Sequence, residues 1–147
     1  MTDHSELLAR HDLERFVDAQ EADGTFDRAL RELRNGNKRT HWMWFVFPQA
    51  AGLGTSETSR RYAIGSIGEA RAYLAHPLLG PRLLDSVDAL LDLPGDDAVA
   101  VLGDVDATKL RSSLTLFAQA DPSERRFSDA LAKFFDGQLD PPTLEHL

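Results

Sequence analysis

Apolar residues recur at spacings of three and four along most of the chain, which places their side chains on one face of an α-helix. The first two such faces begin after Asp12 and Thr25, residue types that favour a helix N-terminus. The second face ends at Asn35-Gly36, a pair typical of a helix C-terminus. The pattern therefore predicts helices that each bury one face. The expected core positions of the later helices are Ile67, Ala70, Leu74, Leu83, Val87, Leu90, Leu110, Leu114, Phe117, Phe127 and Leu131.

Start signals divide the rest of the chain into further helices. Ser66 and Glu69 have the spacing of a capping box, in which two side chains satisfy backbone donors at a helix start. Asp97 and Asp106 are predicted to cap a short and a long helix, and the run Asp121-Pro122-Ser123-Glu124 is predicted to open another. Because no linker is long enough to separate two domains, residues 1–147 are expected to form a single compact all-α, multihelical domain of about seven or eight short helices.

Two segments in the middle of the chain depart from this periodicity. Residues 41–48 form a continuous apolar run that ends at a proline, and both a buried strand and a buried helical turn fit it. Residues 52–56 have the composition of a loop, and a short helix is expected to follow from Arg60 to Ile64.

The composition excludes several classes of function. A chain of 147 residues with 42% hydrophobic residues can bury a core, and the lack of cysteine excludes disulfide scaffolds and thiolate metal sites. The formal charge of −8 disfavours nucleic acid as a partner.

Residues 1–10 lack the apolar stretch of a secretory signal, and the longest apolar run is too short for a membrane span, so a cytoplasmic protein without membrane partners is expected. No histidine pair has metal-ligand spacing and no cofactor motif is complete, so neither a metal nor a cofactor is predicted.

The first candidate for chemistry is the run from Lys38 to Gln49, which combines cations with aromatic rings. Lys38 and His41 precede Trp42, and such a set can stack on a flat ring and hold a phosphate. His41 is the first candidate for acid–base work. The alternative is that the aromatic residues are core. We expect that of Trp44, whereas Trp42, at the polar end of the run, is the better candidate for a pocket wall.

The second candidate is the glycine loop that contains Gly54 and Ser56. A glycine loop leading into a helix exposes backbone N–H groups that can hold an anion, and the Ser56 hydroxyl adds a donor. The loop matches no complete phosphate-binding motif. Its alternative role is to begin a helix, with Ser56 as the cap.

The third candidate is the pair of Lys109 and Ser112, which share a helix face at a spacing of three. A lysine beside a hydroxyl can bind a phosphate or a carboxylate, and in a stronger form it suggests a Ser–Lys nucleophile pair. The alternative is a structural helix in which Ser112 bonds back to the preceding turn, and we favour that alternative over catalysis.

Four strings of this sequence together resemble a family of small bacterial domains of unknown function that are often mislabelled calpastatin. The strings are DLxRFxxAQ from Asp12, HWMWFVFPQ from His41, GLGxS from Gly52 and KLxSSxTLF from Lys109. The resemblance implies a compact all-helical fold and no established activity, substrate or catalytic set. The calpastatin label gains no support, because an inhibitor of that kind is disordered and this chain is patterned to fold.

Two functions follow as hypotheses. The first is a pocket that binds, and in a stronger form hydrolyses, a small anionic ligand resembling a nucleotide. Its predicted residues are Lys38, His41, Trp42, Gln49, Gly54, Ser56, Lys109 and Ser112. The second is a protein-interaction domain that uses an exposed aromatic patch or the arginine stripe at 28, 31 and 34. The position of the two tryptophans, whether buried, in a pocket or on an open surface, discriminates between them.

Overall fold

Helices make up the regular structure of residues 12–147, the part of the chain that the computed structural model describes, apart from one isolated β-bridge between Ala50 and Ile64. The predicted all-α fold is confirmed. The predicted absence of a signal in residues 1–10 concerns a segment outside the described residues. The helices are α1 (Glu14–Glu21), α2 (Thr25–Arg34), α3 (Met43–Val46), α4 (Glu57–Arg61), α5 (Ile67–Ala75), α6 (Leu79–Leu91), α7 (Ala98–Leu102), α8 (Asp104–Ala120), α9 (Arg125–Phe135) and α10 (Pro141–Glu145), and a 3₁₀ turn (Ala22–Gly24) joins α1 to α2.

The long helix α8 lies at the centre and packs against α5, α7, α9 and α10. Its residues 112–117 are all buried, as expected of a helix that is surrounded by others. The ring of Phe117 lies 5.4 Å from that of Tyr73 on α5 and 5.7 Å from that of Phe127 on α9. Helix α6 completes the core against α2, α5 and α9. Within residues 12–147, no helix is both long enough and apolar enough to cross a membrane.

The predicted helix starts are confirmed where a side chain caps the first turn. Ser66 Oγ accepts a hydrogen bond from the Glu69 backbone N–H at 3.0 Å, and Asp97 Oδ1 accepts one from Ala100 at 3.1 Å. The prediction that Asp106 caps the long helix is wrong, because α8 already begins at Asp104, after Gly103. Gly103 has φ of +88°, and this left-handed conformation turns the chain into α8 without a side-chain cap.

Other predicted starts are shifted for similar reasons. Helix α2 follows Gly24 in a left-handed conformation, so Thr25 is its first residue and not its cap. Asp12 also has a positive φ and caps nothing, because Leu13 is the N-cap of α1. The run at 121–124 ends in Glu124, whose side chain caps α9 by accepting from the Arg126 N–H at 3.3 Å.

The two irregular segments form single helical turns. Residues 43–46 of the apolar run are the short helix α3, which decides between the two alternatives left by the sequence. Helix α4 begins at Glu57, earlier than expected, because Ser56 Oγ accepts from the Ser59 N–H at 3.1 Å. Backbone bonds tie the ends of the intervening loop together: Ile64 N donates to Gln49 O and Ala51 N donates to Ile64 O, both at 2.8 Å.

The last helix, α10, is held to α8 by the buried carboxylate of Asp140. Its Oδ2 accepts hydrogen bonds from Ser112 Oγ at 2.9 Å and from Thr143 Oγ1 at 2.6 Å, and its backbone N donates to Thr115 Oγ1 at 3.0 Å. We expect Asp140→Ala to lower the free energy of unfolding by about 2 kcal/mol, because the hydroxyl and backbone N–H of Thr143 lose their acceptor and Ser112 loses its bond to α10. Urea unfolding measures this loss, and faster amide exchange should be confined mainly to α10. Unchanged exchange in α10 would contradict the proposed anchoring.

Candidate functional site

A cleft with two lobes lies between residues 38–59 and residues 102–109. Trp44, Val105 and Lys109 line both lobes and therefore mark the boundary between them. Lobe 1 has a volume of about 480 Å³ and lobe 2 a volume of about 430 Å³. Each lobe is large enough for a substantial part of a small-molecule ligand.

Lobe 1 contains a cluster of three charges. Lys38 Nζ lies 2.9 Å from Asp106 Oδ2, and Lys109 Nζ lies 3.4 Å from Asp106 Oδ1. The Lys38 side chain is only 8% exposed, so its pair with Asp106 is well shielded from solvent. The exposed residues His41 and Asp104 also line this lobe. The two cations are therefore held by one shared carboxylate, with a second carboxylate nearby.

The boundary between the lobes is a cation–π pair. Lys109 Nζ lies 4.1 Å from the centroid of the Trp44 ring, and both side chains are half-buried. The contact of Lys109 with Asp106 is longer than that of Lys38, so Lys109 is the less tightly paired of the two cations. Because Lys109 lines both lobes, its ammonium is available to a group in either lobe.

Trp42 does not form the wall of the cleft, so its predicted role as a stacking surface is wrong. Its side chain is 0% exposed, and its Nε1 donates to Glu32 Oε1 at 2.9 Å. Trp44, which was expected to be core, takes the place in the cleft instead. The reversal arises because Trp44 belongs to the helical turn at 43–46, whereas Trp42 precedes it as the N-cap with a non-helical backbone, so the two indoles point in different directions.

Glu32 organises the segment that carries Lys38 and His41. Besides the Trp42 indole, its carboxylate accepts from the backbone N of Arg39 at 2.7 Å, the backbone N of Thr40 at 3.0 Å and Thr40 Oγ1 at 2.8 Å. Burial raises the pKa of Glu32, but these hydrogen bonds outweigh it and lower the pKa from 4.5 to about 2. Glu32 is therefore a buried carboxylate that fixes the backbone beside lobe 1.

Lobe 2 is rich in hydroxyl groups, and none of the carboxylates of residues 12–147 lines it. Gly54, Ser56 and Gln49, three of the residues predicted for the site, line this lobe. A Cβ on Gly54 would come within 2.6 Å of Ser59 Cβ, so glycine lets the loop pack directly on α4. The polar side chains that line the lobe besides Lys109 are Gln49, Thr55, Ser56, Ser59 and Thr108.

Ser112 lies outside the cleft, so its predicted place beside Lys109 is wrong. It is 3% exposed, and its Oγ donates to Asp140 and to the carbonyl of Thr108 at 3.2 Å, as described above for the anchor of α10. A spacing of three residues is compatible with a shared helix face for Lys109 and Ser112. However, α10 packs over the part of α8 that contains Ser112 and buries this side chain. Ser112 and Lys109 therefore form no nucleophile pair.

Sequence reasoning missed Asp106, Thr108 and Val105 as cleft residues. The spacing of three between Asp106 and Lys109 was a usable signal for an ion pair, but Asp106 was interpreted as a helix cap. The arginine stripe of α2 is also less free than its pattern suggested, because Arg28 Nε donates to Thr40 Oγ1 at 3.2 Å. Among residues 12–147, no group of three or more histidine and acidic side chains is placed to hold a metal ion.

Comparison with known proteins agrees with this fold. Residues 10–147 match the family described as "Protein of unknown function (DUF1810)". The chain is similar to the conserved hypothetical protein Rv1873 from Mycobacterium tuberculosis, whose crystal structure was solved at 1.38 Å, with 45% identity, a TM-score of 0.90, and coverage of 94% of this chain and 97% of that one. No curated protein matches the chain. The helical fold, the matched residues and the resemblance of the four strings lead to one conclusion: the chain belongs to the DUF1810 family of proteins of unknown function.

Proposed function

We propose that the cleft binds a small molecule that carries an anionic group, with nucleotides and sugar phosphates as the ligand class. The observation that carries this proposal is the make-up of lobe 2. A protein with a formal charge of −8 has here a lobe lined by Lys109, four hydroxyl side chains and an amide, with no carboxylate from the described residues 12–147. The Lys109 ammonium and the Gln49 amide are donors of the kind that hold phosphate and carboxylate oxygens, whereas the hydroxyls of Ser56, Ser59 and Thr108 already donate within the protein and would have to rotate to donate to a ligand.

The charges of the cleft indicate which part of the ligand lies in which lobe. In lobe 1 the carboxylates of Asp104 and Asp106 offset the charges of Lys38 and Lys109, whereas among residues 12–147 Lys109 is the one ionised side chain that lines lobe 2. The anionic group is therefore assigned to lobe 2. The rest of the ligand is assigned to lobe 1, where Met43 and Leu102 offer apolar contacts and the carboxylates accept hydrogen bonds from hydroxyl or amino groups.

The place of the tryptophans favours a ligand pocket over a protein-interaction surface. Trp42 is buried, and Trp44 lines a cleft between two lobes instead of an open patch. A protein partner is usually bound through an exposed apolar surface with aromatic anchors. Neither indole offers such an anchor, so the aromatic form of the interaction hypothesis lacks the observation it needs.

A thermal-shift screen against nucleotides, ADP-ribose and sugar phosphates tests the proposal. A ligand at 100 times its Kd should add about 2.7 kcal/mol to the free energy of unfolding. In a chain of this length that corresponds to a rise of roughly 5–10 °C in Tm. A flat response to every compound of the screen would sink the proposal.

Lys109→Gln should raise the Kd of a compound found in this screen about 10- to 100-fold, because a hydrogen bond to a charged group is lost. Isothermal titration calorimetry measures the change. Arg34→Gln is the matched control, since it removes the same charge from an exposed helix position outside the cleft. Equal losses of affinity in both variants would show a general charge effect and contradict the placement of the anion beside Lys109.

A further inference from the structure

The indole nitrogen of Trp44 is a buried donor without an acceptor. Within residues 12–147, Trp44 Nε1 has no hydrogen-bond partner although it is inaccessible to solvent. The neighbouring Trp42 shows the usual arrangement, with its Nε1 donating to the Glu32 carboxylate at 2.9 Å. A buried polar group without a partner destabilises a fold, so such a group calls for an explanation.

The position of Trp44 suggests what its acceptor is. Its ring lines both lobes, at the boundary where the anion of the proposed ligand meets the remainder. Lys109 lies 4.1 Å from the ring centroid, and its contact with Asp106, at 3.4 Å, is longer than that of Lys38, at 2.9 Å, so it is the cation less tightly held by this carboxylate. Nε1 is inaccessible to solvent in the free protein, so an oxygen held by Lys109 reaches it only if Lys109 moves off the ring.

We infer that Trp44 Nε1 is a specificity-determining donor, which hydrogen-bonds to an oxygen of the ligand's anionic group after Lys109 shifts toward that group. The inference rests on the proposed function and deepens it, because it requires an oxyanion, either a phosphoryl group or a carboxylate. A ligand that is only cationic or apolar would leave the donor unpaired. In the free protein the Trp44 N–H has no acceptor among residues 12–147, and the ligand supplies one.

Paired substitutions separate this role from a structural one. Trp44→Phe removes the N–H but keeps an aromatic ring beside Lys109, so affinity should fall about tenfold while Tm stays close to that of the wild type. Trp42→Phe is the same chemical change two residues away, but it removes a donor that Glu32 uses. That variant should therefore lower Tm clearly. A Tm loss in Trp44→Phe as large as in Trp42→Phe, together with unchanged affinity, would show that Trp44 is structural.

Nitrogen-15 NMR of the two indole N–H groups gives a direct readout. The probes are ribose 5-phosphate for the phosphoryl group and gluconate for the carboxylate. We expect the Trp44 resonance, assigned by its absence in Trp44→Phe, to shift downfield and exchange more slowly with one probe, while the Trp42 resonance stays in place. The probe that causes the shift identifies the anion.

Failure of the inference about Trp44 gives a different result from failure of the proposed function. If a probe or a compound of the thermal-shift screen stabilises the protein but leaves the Trp44 resonance in place, the inference is overturned and the proposed pocket stands. If no compound binds at all, the proposed function fails and the inference fails with it.

Discussion

Replacing Glu32 by alanine is expected to lower the free energy of unfolding by about 4 kcal/mol, because several donors lose their acceptor at once. The Trp42 indole and the backbone N–H groups of Arg39 and Thr40 all donate to this carboxylate in a site where Glu32 is only 8% exposed. Urea unfolding at neutral pH measures the loss. A change below 1 kcal/mol would mean that water replaces the carboxylate without cost.

The contribution of Glu32 should also depend on pH. Its pKa in the folded protein, about 2, lies below the ordinary value of 4.5, so the ionised form stabilises the fold. The stabilisation is complete above pH 4.5 and is lost as the pH falls toward 2. Glu32→Gln keeps the shape but not the charge, and we expect it to cost about 2 kcal/mol at neutral pH.

Paired urea titrations of wild type and Glu32→Gln between pH 7 and pH 2.5 test this sign. The difference in unfolding free energy should be constant from pH 7 to about 5 and shrink below that. Other carboxylates titrate in both proteins, so the difference isolates residue 32. A difference that stays the same down to pH 2.5 would assign the low pKa to another group.

Gly80→Ala is expected to destabilise the protein by about 3 kcal/mol, although helix propensity alone predicts the opposite. Gly80 lies inside α6, where alanine is normally the better residue. A Cβ at this position would overlap the carbonyl oxygen of Leu74 in α5 and lie 3.0 Å from its carbonyl carbon. Because the obstacle is backbone, no side-chain rotation can relieve it, and α5 and α6 must move apart.

Gly68→Ala is the control for this prediction. Gly68 also lies inside a helix, α5, but an added Cβ there would meet only Ser66 Oγ, at 3.7 Å. That variant should be as stable as the wild type or up to about 1 kcal/mol more stable. The midpoint of urea unfolding measures both variants. If Gly80→Ala is as stable as Gly68→Ala, the close approach of the two helices is wrong.

Much of the fold follows from interactions within a few residues. Ser66 and Asp97 cap helices because a side-chain oxygen needs only the next turn as its partner, and the three- and four-residue spacing of apolar residues reports the buried faces. The errors occurred at Asp12, Thr25 and Asp106. There a left-handed residue redirected the chain, and nothing in the local pattern of polar residues distinguishes that from a cap.

The candidate site could be predicted only in part. Lys38, His41 and Lys109 lie in one cleft although about 70 residues separate the first from the last, and the sequence chose them for their chemistry alone. The two tryptophans could not be ranked, because a single helical turn contains no repeat from which to find its buried face. Only the position of Glu32, which accepts the hydrogen bond of the Trp42 indole, shows that Trp42 is the buried one of the two.

The sequence by itself determined that this chain forms an all-helical fold, where most of its helices lie, and which cations and glycines are available for an anion site. The tertiary structure decided which of these groups meet, because α10 covers Ser112, Glu32 binds Trp42, and the turn at 43–46 leaves Trp44 facing Lys109. Helix formation depends on neighbours along the chain, whereas a cleft depends on contacts between distant segments, and those are set only when the helices pack.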